Sequence, residues 1–118
     1  LYGSHPIGVG HKLLEDGTVA PYGALSFLPF TPKESIDALN HMYQIPGLVG
    51  EYGLYDAYSY VTKANGDLPW IGKSYLGIDK GLVLLMFENY STQLIWKLLH
   101  QNKSIQKGLK RLAFSQTN

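Results

Sequence analysis

The sequence predicts an all-α domain, and three observations support this prediction. Thr31-Pro32-Lys33-Glu34 has the form of a helix N-terminus, with a capping box and a proline at the first helical position. Residues 82–87 form an uninterrupted apolar run, which is typical of a buried helix. No segment has a convincing strand pattern.

The first two predicted helices lie before residue 46. The first covers residues 20–28 and ends before Pro29, because proline cannot continue a helix. The second begins at the capping box of Thr31 and ends near Tyr43, before Pro46-Gly47. Its apolar residues recur at helical spacing, and they are Ile36, Leu39, Met42 and Tyr43.

The other two predicted helices lie after residue 78. Asp79 can cap a third helix that we expect to run without a break from about residue 80 to residue 101. Its first half, residues 82–87, is apolar all round, which predicts burial on every side. Asn102 can cap a last helix, whose apolar residues are Ile105, Leu109 and Leu112.

Composition excludes several classes of protein. The 118 residues are typical of one domain, and the net charge of +1 indicates neither disorder nor a strong field for nucleic acid. The chain has no cysteine, so disulfides and thiolate catalysis are excluded. No apolar run approaches the roughly 20 residues of a membrane span.

Aromatic residues are concentrated between residues 50 and 77. The chain has nine tyrosines and two tryptophans. Six of these eleven rings lie in this segment, and they are Tyr52, Tyr55, Tyr58, Tyr60, Trp70 and Tyr75. The many glycines between them predict a long loop, and a loop rich in amphipathic rings is typically functional or packed on the surface.

Two acids, Asp79 and Glu88, flank the apolar run. On a continuous helix they would lie half a turn out of phase and ~13.5 Å apart along the axis. The carboxylates of glycoside hydrolases are roughly 5–9.5 Å apart, so these two cannot be a catalytic pair with each other. Asp79 is either a helix cap or a functional acid. Glu88 needs a specific partner at such depth, either a structural base or a ligand.

Asp56 lies among the rings, between Tyr55 and Tyr58. An acid in this setting could have either of two roles. It could be a carboxylate with a shifted pKa, or a group that hydrogen-bonds to sugar hydroxyls. The alternative is a turn aspartate that bonds to its own backbone.

The remaining polar signals are weaker. The four histidines show no metal-ligand spacing, so no metal site is predicted, and no motif indicates a cofactor. A basic stripe on the last helix is interpreted as a solvated face rather than as a nucleic-acid site, and it consists of Lys103, Lys107, Lys110 and Arg111.

Three segments, in this order and spacing, resemble the C-terminal part of the glucoamylase-like domain. They are DGTVAPYGALSFLPFTPKESIDAL at residues 16–39, GEYGLYDAYS at residues 50–59 and YLGIDKGLVLLMFENYSTQLIWKLL at residues 75–99. Bacterial endo-β-1,2-glucanases and the processing domains of cyclic β-1,2-glucan synthases belong to that group. The resemblance covers about residues 2–114 and implies an (α/α)6 toroid, in which paired helices surround a glucan cleft.

The resemblance also implies roles for particular residues. It favours Asp56, in the family's Tyr-Asp-Ala-aromatic motif, and Asp79, in the Tyr-Leu-Gly-Ile-Asp motif, as candidate catalytic carboxylates of the cleft. Candidate substrate-binding residues are Tyr55, Tyr58, Trp70 and Tyr75, whose rings would stack on sugars, together with Glu88.

Residues 1–118 are expected to be the C-terminal portion of such a domain, because a toroid has many more helices than the four predicted here. The chain also begins with Leu1 rather than methionine, as a piece of a longer protein would. The N-terminal portion is then an expected partner, and it would supply further carboxylates, including the general acid. The resemblance suggests a periplasmic or extracellular location.

Two functions follow from these expectations. The first is part of an enzyme that hydrolyses or transglycosylates a β-glucan, β-1,2-glucan by resemblance, through carboxylate acid–base chemistry. Its partner is a glucan or oligosaccharide, with no nucleic acid and no membrane span. The alternative is a non-catalytic module, either carbohydrate-binding or structural.

Overall fold

The computed structural model describes residues 17–63 and 66–115, so the part of the predicted domain on residues 1–16 lies outside the described residues. About half of the described residues are helical, and the rest include five short strands. The elements in chain order are β1 (Thr18–Val19), α1 (Pro21–Ser26), α2 (Pro32–Tyr43), β2 (Val49–Gly50), β3 (Gly53–Leu54), β4 (Ala57–Lys63), β5 (Pro69–Gly72), α3 (Gly77–Ser91), α4 (Leu94–His100) and α5 (Lys103–Arg111).

The all-α prediction is wrong for the aromatic segment, which forms two small sheets rather than one long loop. β4 lies between β1 and β5 and pairs antiparallel with both of them. β2 and β3 form a separate antiparallel hairpin. Tyrosine, valine and threonine in β4 favour the pleated conformation, and the pairing supplies backbone partners that the sequence pattern does not show.

The first two helices are confirmed. α1 is slightly shorter than predicted, and α2 begins at Pro32 and ends at Tyr43 as expected. Thr31 occupies the N-cap position of α2, but its side chain makes no capping hydrogen bond there. Ser35 donates from its hydroxyl to the Ala24 carbonyl oxygen at 2.9 Å, and this bond joins α2 to α1.

The hydrophobic core lies between α2, the β2–β3 hairpin and β4. Its buried members are Met42, Ile45, Leu48, Leu54 and Tyr58. Side chains of α1 and α2 pack against this cluster and cover it from one side. The core therefore fixes the chain on both sides of residues 55 and 56.

The predicted continuous helix over residues 80–101 is wrong at both its start and its middle. α3 begins at Gly77, with Leu76 as the N-cap, so Asp79 lies inside the first turn and does not cap the helix. α3 ends at Ser91, and Gln93 takes a left-handed conformation with φ of 61° before α4 begins. A non-glycine residue in this conformation interrupts the helical hydrogen bonds.

Two side chains satisfy the first backbone groups of α4. Asn89 is 2% exposed, and its Oδ1 accepts a hydrogen bond from the Trp96 backbone N–H at 3.1 Å. Thr92 Oγ1 accepts from the Leu94 N–H at 3.1 Å. The turn between α3 and α4 is therefore held by a buried amide, which hydropathy alone could not indicate.

The cap predicted for the last helix is confirmed. Asn102 is the N-cap of α5, and its side-chain oxygen accepts from the Ser104 N–H at 2.9 Å and the Ile105 N–H at 3.3 Å. These contacts satisfy two of the backbone donors that a helix start leaves open.

The burial predicted for residues 82–87 is wrong for the chain as described. Within this run Leu84 is 70% exposed and Leu85 is 45% exposed, and Ile78, which precedes the run, is 81% exposed. We call the exposed apolar side chains of this helix the α3 surface, and they are Ile78, Leu82, Leu84, Leu85 and Phe87. Among the described residues, no helix combines the length and the apolar character needed to cross a membrane.

Replacing Asn89 with alanine is expected to destabilise the fold by about 1–3 kcal/mol, because the Trp96 N–H would lose its buried acceptor. Urea unfolding followed by circular dichroism measures this change. Asn40→Ala is the matched control, since Asn40 is exposed on α2, and it should change stability by no more than about 0.5 kcal/mol. Equal effects of the two substitutions would contradict the structural role of Asn89.

Candidate functional site

A cavity of about 140 Å³ lies between α1, α2, the hairpin strand β3 and the start of α3. Part of its wall is aliphatic, from side chains such as Leu25, Leu39 and Val83. The remainder consists mainly of tyrosines and three charged residues, and these are Tyr22, Tyr43, Tyr52, Tyr55, Asp56, Asp79 and Lys80. An apolar wall with a few convergent polar groups is the kind of lining that binding and catalytic sites have.

Asp56 enters this cavity from the short connection between β3 and β4. The Tyr55 N–H donates to the Leu48 carbonyl oxygen at 2.9 Å, and the Asp56 N–H donates to the Ser74 carbonyl oxygen at 3.0 Å. The Asp56 side chain is 4% exposed. The backbone on both sides therefore holds this carboxyl group in a fixed, largely dry position.

Asp79 reaches the same cavity from the first turn of α3, and its carboxyl group is hydrogen-bonded to that of Asp56. Burial, this hydrogen bond and the charge of Asp56 raise the pKa of Asp79 from 3.8 to about 6, in that order of importance. The positive charge of Lys80 opposes the rise in the pKa of Asp79. Two carboxyl groups can share a hydrogen bond when one of them is protonated, and the raised pKa of Asp79 lets the pair keep this proton to a higher pH than a free aspartate would.

This contact makes Asp56 and Asp79 one unit rather than an acid and a nucleophile on opposite sides of a bond. The paired carboxylates of retaining glycosidases are roughly 5–5.5 Å apart, and those of inverting enzymes are about 6.5–9.5 Å apart. Hydrogen-bonded carboxyl groups are much closer. Within the described lining of the cavity there is no third carboxylate.

Three tyrosines form a connected cluster beside the pair. The rings of Tyr55 and Tyr75 have centroids 5.0 Å apart, and those of Tyr52 and Tyr75 are 5.4 Å apart. The Tyr75 hydroxyl accepts from the Tyr52 N–H at 3.2 Å. A hydrogen bond to Tyr75 raises the pKa of Tyr55, so its hydroxyl stays neutral and protonated. Gly50 lies beneath the hydroxyls of Tyr55 and Tyr75, and no Cβ would fit there.

Lys80 occupies the side of the cavity next to Asp79. Its ammonium group donates a hydrogen bond to the Leu54 carbonyl oxygen. The same nitrogen lies 5.6 Å from the centroid of the Tyr75 ring, within the range of a cation–π contact.

The structure brings together four of the residues predicted for the site and places three elsewhere. Asp56, Asp79 and Tyr55 line the cavity, and Tyr75 supports Tyr55 from the side. Tyr58, Trp70 and Glu88 are not among the residues that line it.

Each of these three residues has a different environment. Tyr58 is 8% exposed and belongs to the core, where burial raises the pKa of its hydroxyl. Trp70 of β5 pairs with Ser59 of β4, next to the Tyr58–Ile71 pair. Its side chain therefore lies on the opposite face of the sheet from that of Tyr58. Glu88 accepts a hydrogen bond from the Thr92 hydroxyl near the end of α3. The substrate-binding roles of these three residues stay predictions.

The sequence reasoning missed four residues of the cavity wall, which are Tyr22, Tyr43, Tyr52 and Lys80. Tyr22 and Tyr43 come from α1 and α2, far along the chain from the aromatic segment. Tyr52 and Lys80 adjoin predicted site residues, so proximity to Tyr55 and Asp79 was the available signal. Within residues 17–63 and 66–115 no group of three acids or histidines is arranged to hold a metal ion.

Comparison with known proteins gives a consistent set of matches. The family model described as "Putative glucoamylase" matches residues 2–103. An exo-β-1,2-glucooligosaccharide sophorohydrolase (non-reducing end) from Parabacteroides distasonis is 36% identical over 100 residues, which are 83% of this chain and 13% of the relative.

Solved structures agree with this match. An endo-β-1,2-glucanase from Chitinophaga pinensis, in complex with sophorotriose and glucose, is 36% identical with a TM-score of 0.72, and the match covers 98% of this chain and 28% of that one. A β-1,2-glucanase from Parabacteroides distasonis is 37% identical with a TM-score of 0.67, over 81% of this chain and 13% of that one. The chain therefore spans less than a third of the length of these relatives.

Asp79→Asn is expected to change how stability depends on pH. Because the folded state raises the pKa of Asp79 from 3.8 to about 6, the folded chain holds the proton more tightly, and this stabilising contribution is lost as pH rises through about 4–6. The variant cannot ionise at this position, so its melting temperature should rise relative to wild type between pH 4 and pH 7.

Calorimetry at intervals across this pH range measures that difference. Asp37→Asn, on the exposed face of α2, is the matched control and should not reproduce the divergence. Parallel melting curves for wild type and Asp79→Asn would contradict the shared proton.

Proposed function

Since the chain belongs to the glucoamylase-like family, we propose that it forms part of an enzyme that hydrolyses β-1,2-glucan by carboxylate acid–base chemistry. The names of the relatives support the substrate class, because a sophorohydrolase and two β-1,2-glucanases are among them. The observation that carries the proposal is the hydrogen-bonded pair of Asp56 and Asp79 in a tyrosine-walled cavity.

In this proposal the carboxyl pair handles a proton during glycosidic cleavage. Asp79 is the more exposed of the two groups, so it contacts the water or sugar hydroxyl that enters the cavity. With its pKa at about 6, Asp79 exchanges a proton readily near neutral pH, which is the condition for an efficient base. Asp56 holds Asp79 in place through the hydrogen bond between their carboxyl groups.

The tyrosines supply the sugar-binding wall. Rings with a polar edge can cover the apolar face of a pyranose and still donate hydrogen bonds to its hydroxyls. Tyr55 lines the cavity directly, while Tyr75 fixes its orientation. The neutral hydroxyl groups add hydrogen-bonding capacity without adding a further negative charge beside the pair.

We further propose that the chain is the C-terminal portion of an (α/α)6 toroid, and that the preceding portion supplies the general acid. Two observations support this. The cavity's described lining contains no further carboxylate at a suitable distance from the pair. The α3 surface is apolar and exposed, as expected for a helix whose neighbours belong to the rest of a larger domain.

A second candidate concerns the 118-residue chain by itself. Because its described cavity has one carboxylate unit rather than two separated carboxylates, the chain alone fits a carbohydrate-binding or structural module. Activity and binding measurements on the same preparation separate the two candidates.

Asp56→Asn and Asp79→Asn should each lower β-1,2-glucan hydrolysis by roughly 10²–10⁴-fold, because each removes an ionisable carboxyl group from the proton-handling pair. The protein expressed from its complete reading frame is assayed by the release of reducing sugar, with near-ultraviolet circular dichroism to verify folding. Asp37→Asn is the control and should keep normal activity, since Asp37 is exposed and paired with Lys33. Folded variants with near-normal rates would remove Asp56 and Asp79 from the catalytic machinery.

The 118-residue chain is expected to self-associate at micromolar concentration, or to bind the preceding portion of its domain, because the α3 surface exposes several large apolar side chains. Sedimentation velocity measures the oligomeric state of the chain. Leu84→Glu places a charge in this surface and should shift the chain towards monomer. Val61→Glu, at a similarly exposed position on β4, should not. A wild-type monomer that hydrolyses the glucan unaided would contradict the dependence on a further portion.

A further inference from the structure

We propose that Lys80 is a positioning residue, which ties the segment bearing Asp56 to the first turn of α3 and balances the negative charge of the Asp56–Asp79 pair. The inference deepens the proposed function, because it concerns the same carboxyl pair. It rests on contacts within the chain, so it can be tested without any glucan.

The Lys80 side chain connects two segments of the cavity wall. The Lys80 ammonium group donates to the carbonyl oxygen of Leu54, which lies two residues before Asp56. Lys80 also directly follows Asp79 in α3. One side chain therefore spans the two segments whose relative position decides whether the carboxyl groups meet.

A further contact fixes where the ammonium group lies. Its nitrogen is 5.6 Å from the centroid of the Tyr75 ring, which is itself packed against Tyr55 and Tyr52. Although Lys80 as a residue is exposed, its charged end is held between a carbonyl oxygen and an aromatic face. A lysine that served only solubility would not need two such partners.

Lys80 also affects the balance of charge around the cavity. The titratable groups that line the cavity come from every element packed around it: Tyr22 from α1, Tyr43 from α2, Tyr52, Tyr55 and Asp56 from the β2–β4 region, and Asp79 and Lys80 from α3. Glu51 adds a negative charge near Tyr55. Lys80 is the one cation in the described lining, so it alone offsets the charge of the carboxyl pair there.

The electrostatic consequence has a definite sign. Burial, the hydrogen bond to Asp56 and the charge of Asp56 raise the pKa of Asp79, whereas Lys80 lowers it. Removing the positive charge should therefore raise the pKa of Asp79 further, and the pair should keep its shared proton to higher pH. A different side chain that keeps the positive charge at position 80 should preserve the titration midpoint of Asp79.

The test compares Lys80→Gln, Lys80→Arg and the control Lys73→Gln, which removes an exposed charge between β5 and α3. The side-chain carboxyl carbon of Asp79 is followed by NMR from pH 4 to pH 9 in the 118-residue chain. In Lys80→Gln the titration midpoint should move up by about half a pH unit or more, which allows for solvent screening. Lys80→Arg and Lys73→Gln should stay close to wild type.

The positioning role has its own readout. Amide hydrogen exchange at Tyr55 and Asp56 should be faster in Lys80→Gln than in wild type, because the Leu54 carbonyl loses its tie to α3. A Lys80→Gln chain with an unchanged Asp79 midpoint and unchanged exchange would overturn the proposal.

Should Lys80→Gln fail to fold, the wild-type chain still decides the question. The ¹⁵N resonance of the Lys80 ammonium group should show an inflection near the pH at which Asp79 ionises, at about 6, and its absence would overturn the proposal. These outcomes are independent of glucan hydrolysis. A moved midpoint in the 118-residue chain, together with a protein from the complete reading frame that cleaves no β-1,2-glucan, would support Lys80 and reject the proposed function. An unmoved midpoint together with an active complete protein would do the reverse.

Discussion

The contact on which the rest of the site depends is the hydrogen bond between the carboxyl groups of Asp56 and Asp79. Two acids approach this closely only when a proton or a cation compensates their charge. Burial raises the pKa of Asp79, so that the pair keeps a proton to higher pH, and the cation of Lys80 lines the same cavity. The contact also joins the β3–β4 connection to the first turn of α3, with the Asp56 N–H bonded to the Ser74 carbonyl just before that helix. The titration of the carboxyl pair and the attachment of α3 therefore depend on the same few atoms.

The tyrosines around this pair provide hydrogen-bonding groups without adding charge. Tyrosine hydroxyls are neutral hydrogen-bonding groups, and the link to Tyr75 keeps Tyr55 protonated. The cluster is possible because Gly50 has no side chain where the hydroxyls of Tyr55 and Tyr75 lie. A carboxylate in place of one of these rings would add repulsion to a pair that already needs compensation. The wealth of tyrosine and glycine in this segment thus has a local electrostatic and steric cause.

Local signals in the sequence predicted local structure well. They failed where the structure depends on partners that are distant in the chain. Pro32 and Asn102 marked real helix starts, because the groups that define a helix end lie within a few residues of it. β4 was missed because its partners, β1 and β5, satisfy its backbone from other parts of the chain, and the glycines around it indicated loops. The break at Gln93 was missed because buried Asn89 and Thr92 offset the cost of interrupting an otherwise helical pattern. Asp56 and Asp79 were identified as candidates one by one, but their contact follows from the fold and not from their spacing.

Different sides of α3 have different surroundings among the described residues. Its first turn presents Asp79 and Lys80 to the cavity, while Ile78 and Leu84 remain open to solvent on other sides of the same helix. A helix that must hold an ionisable pair in a dry setting needs apolar neighbours around it, since water at those sides would raise the local dielectric and weaken the constraint on the proton. The described residues cover the cavity side of α3 and leave the remainder exposed. Under the proposed function, one neighbouring portion of the domain would both bury the α3 surface and supply a carboxylate at glycosidase distance from the pair.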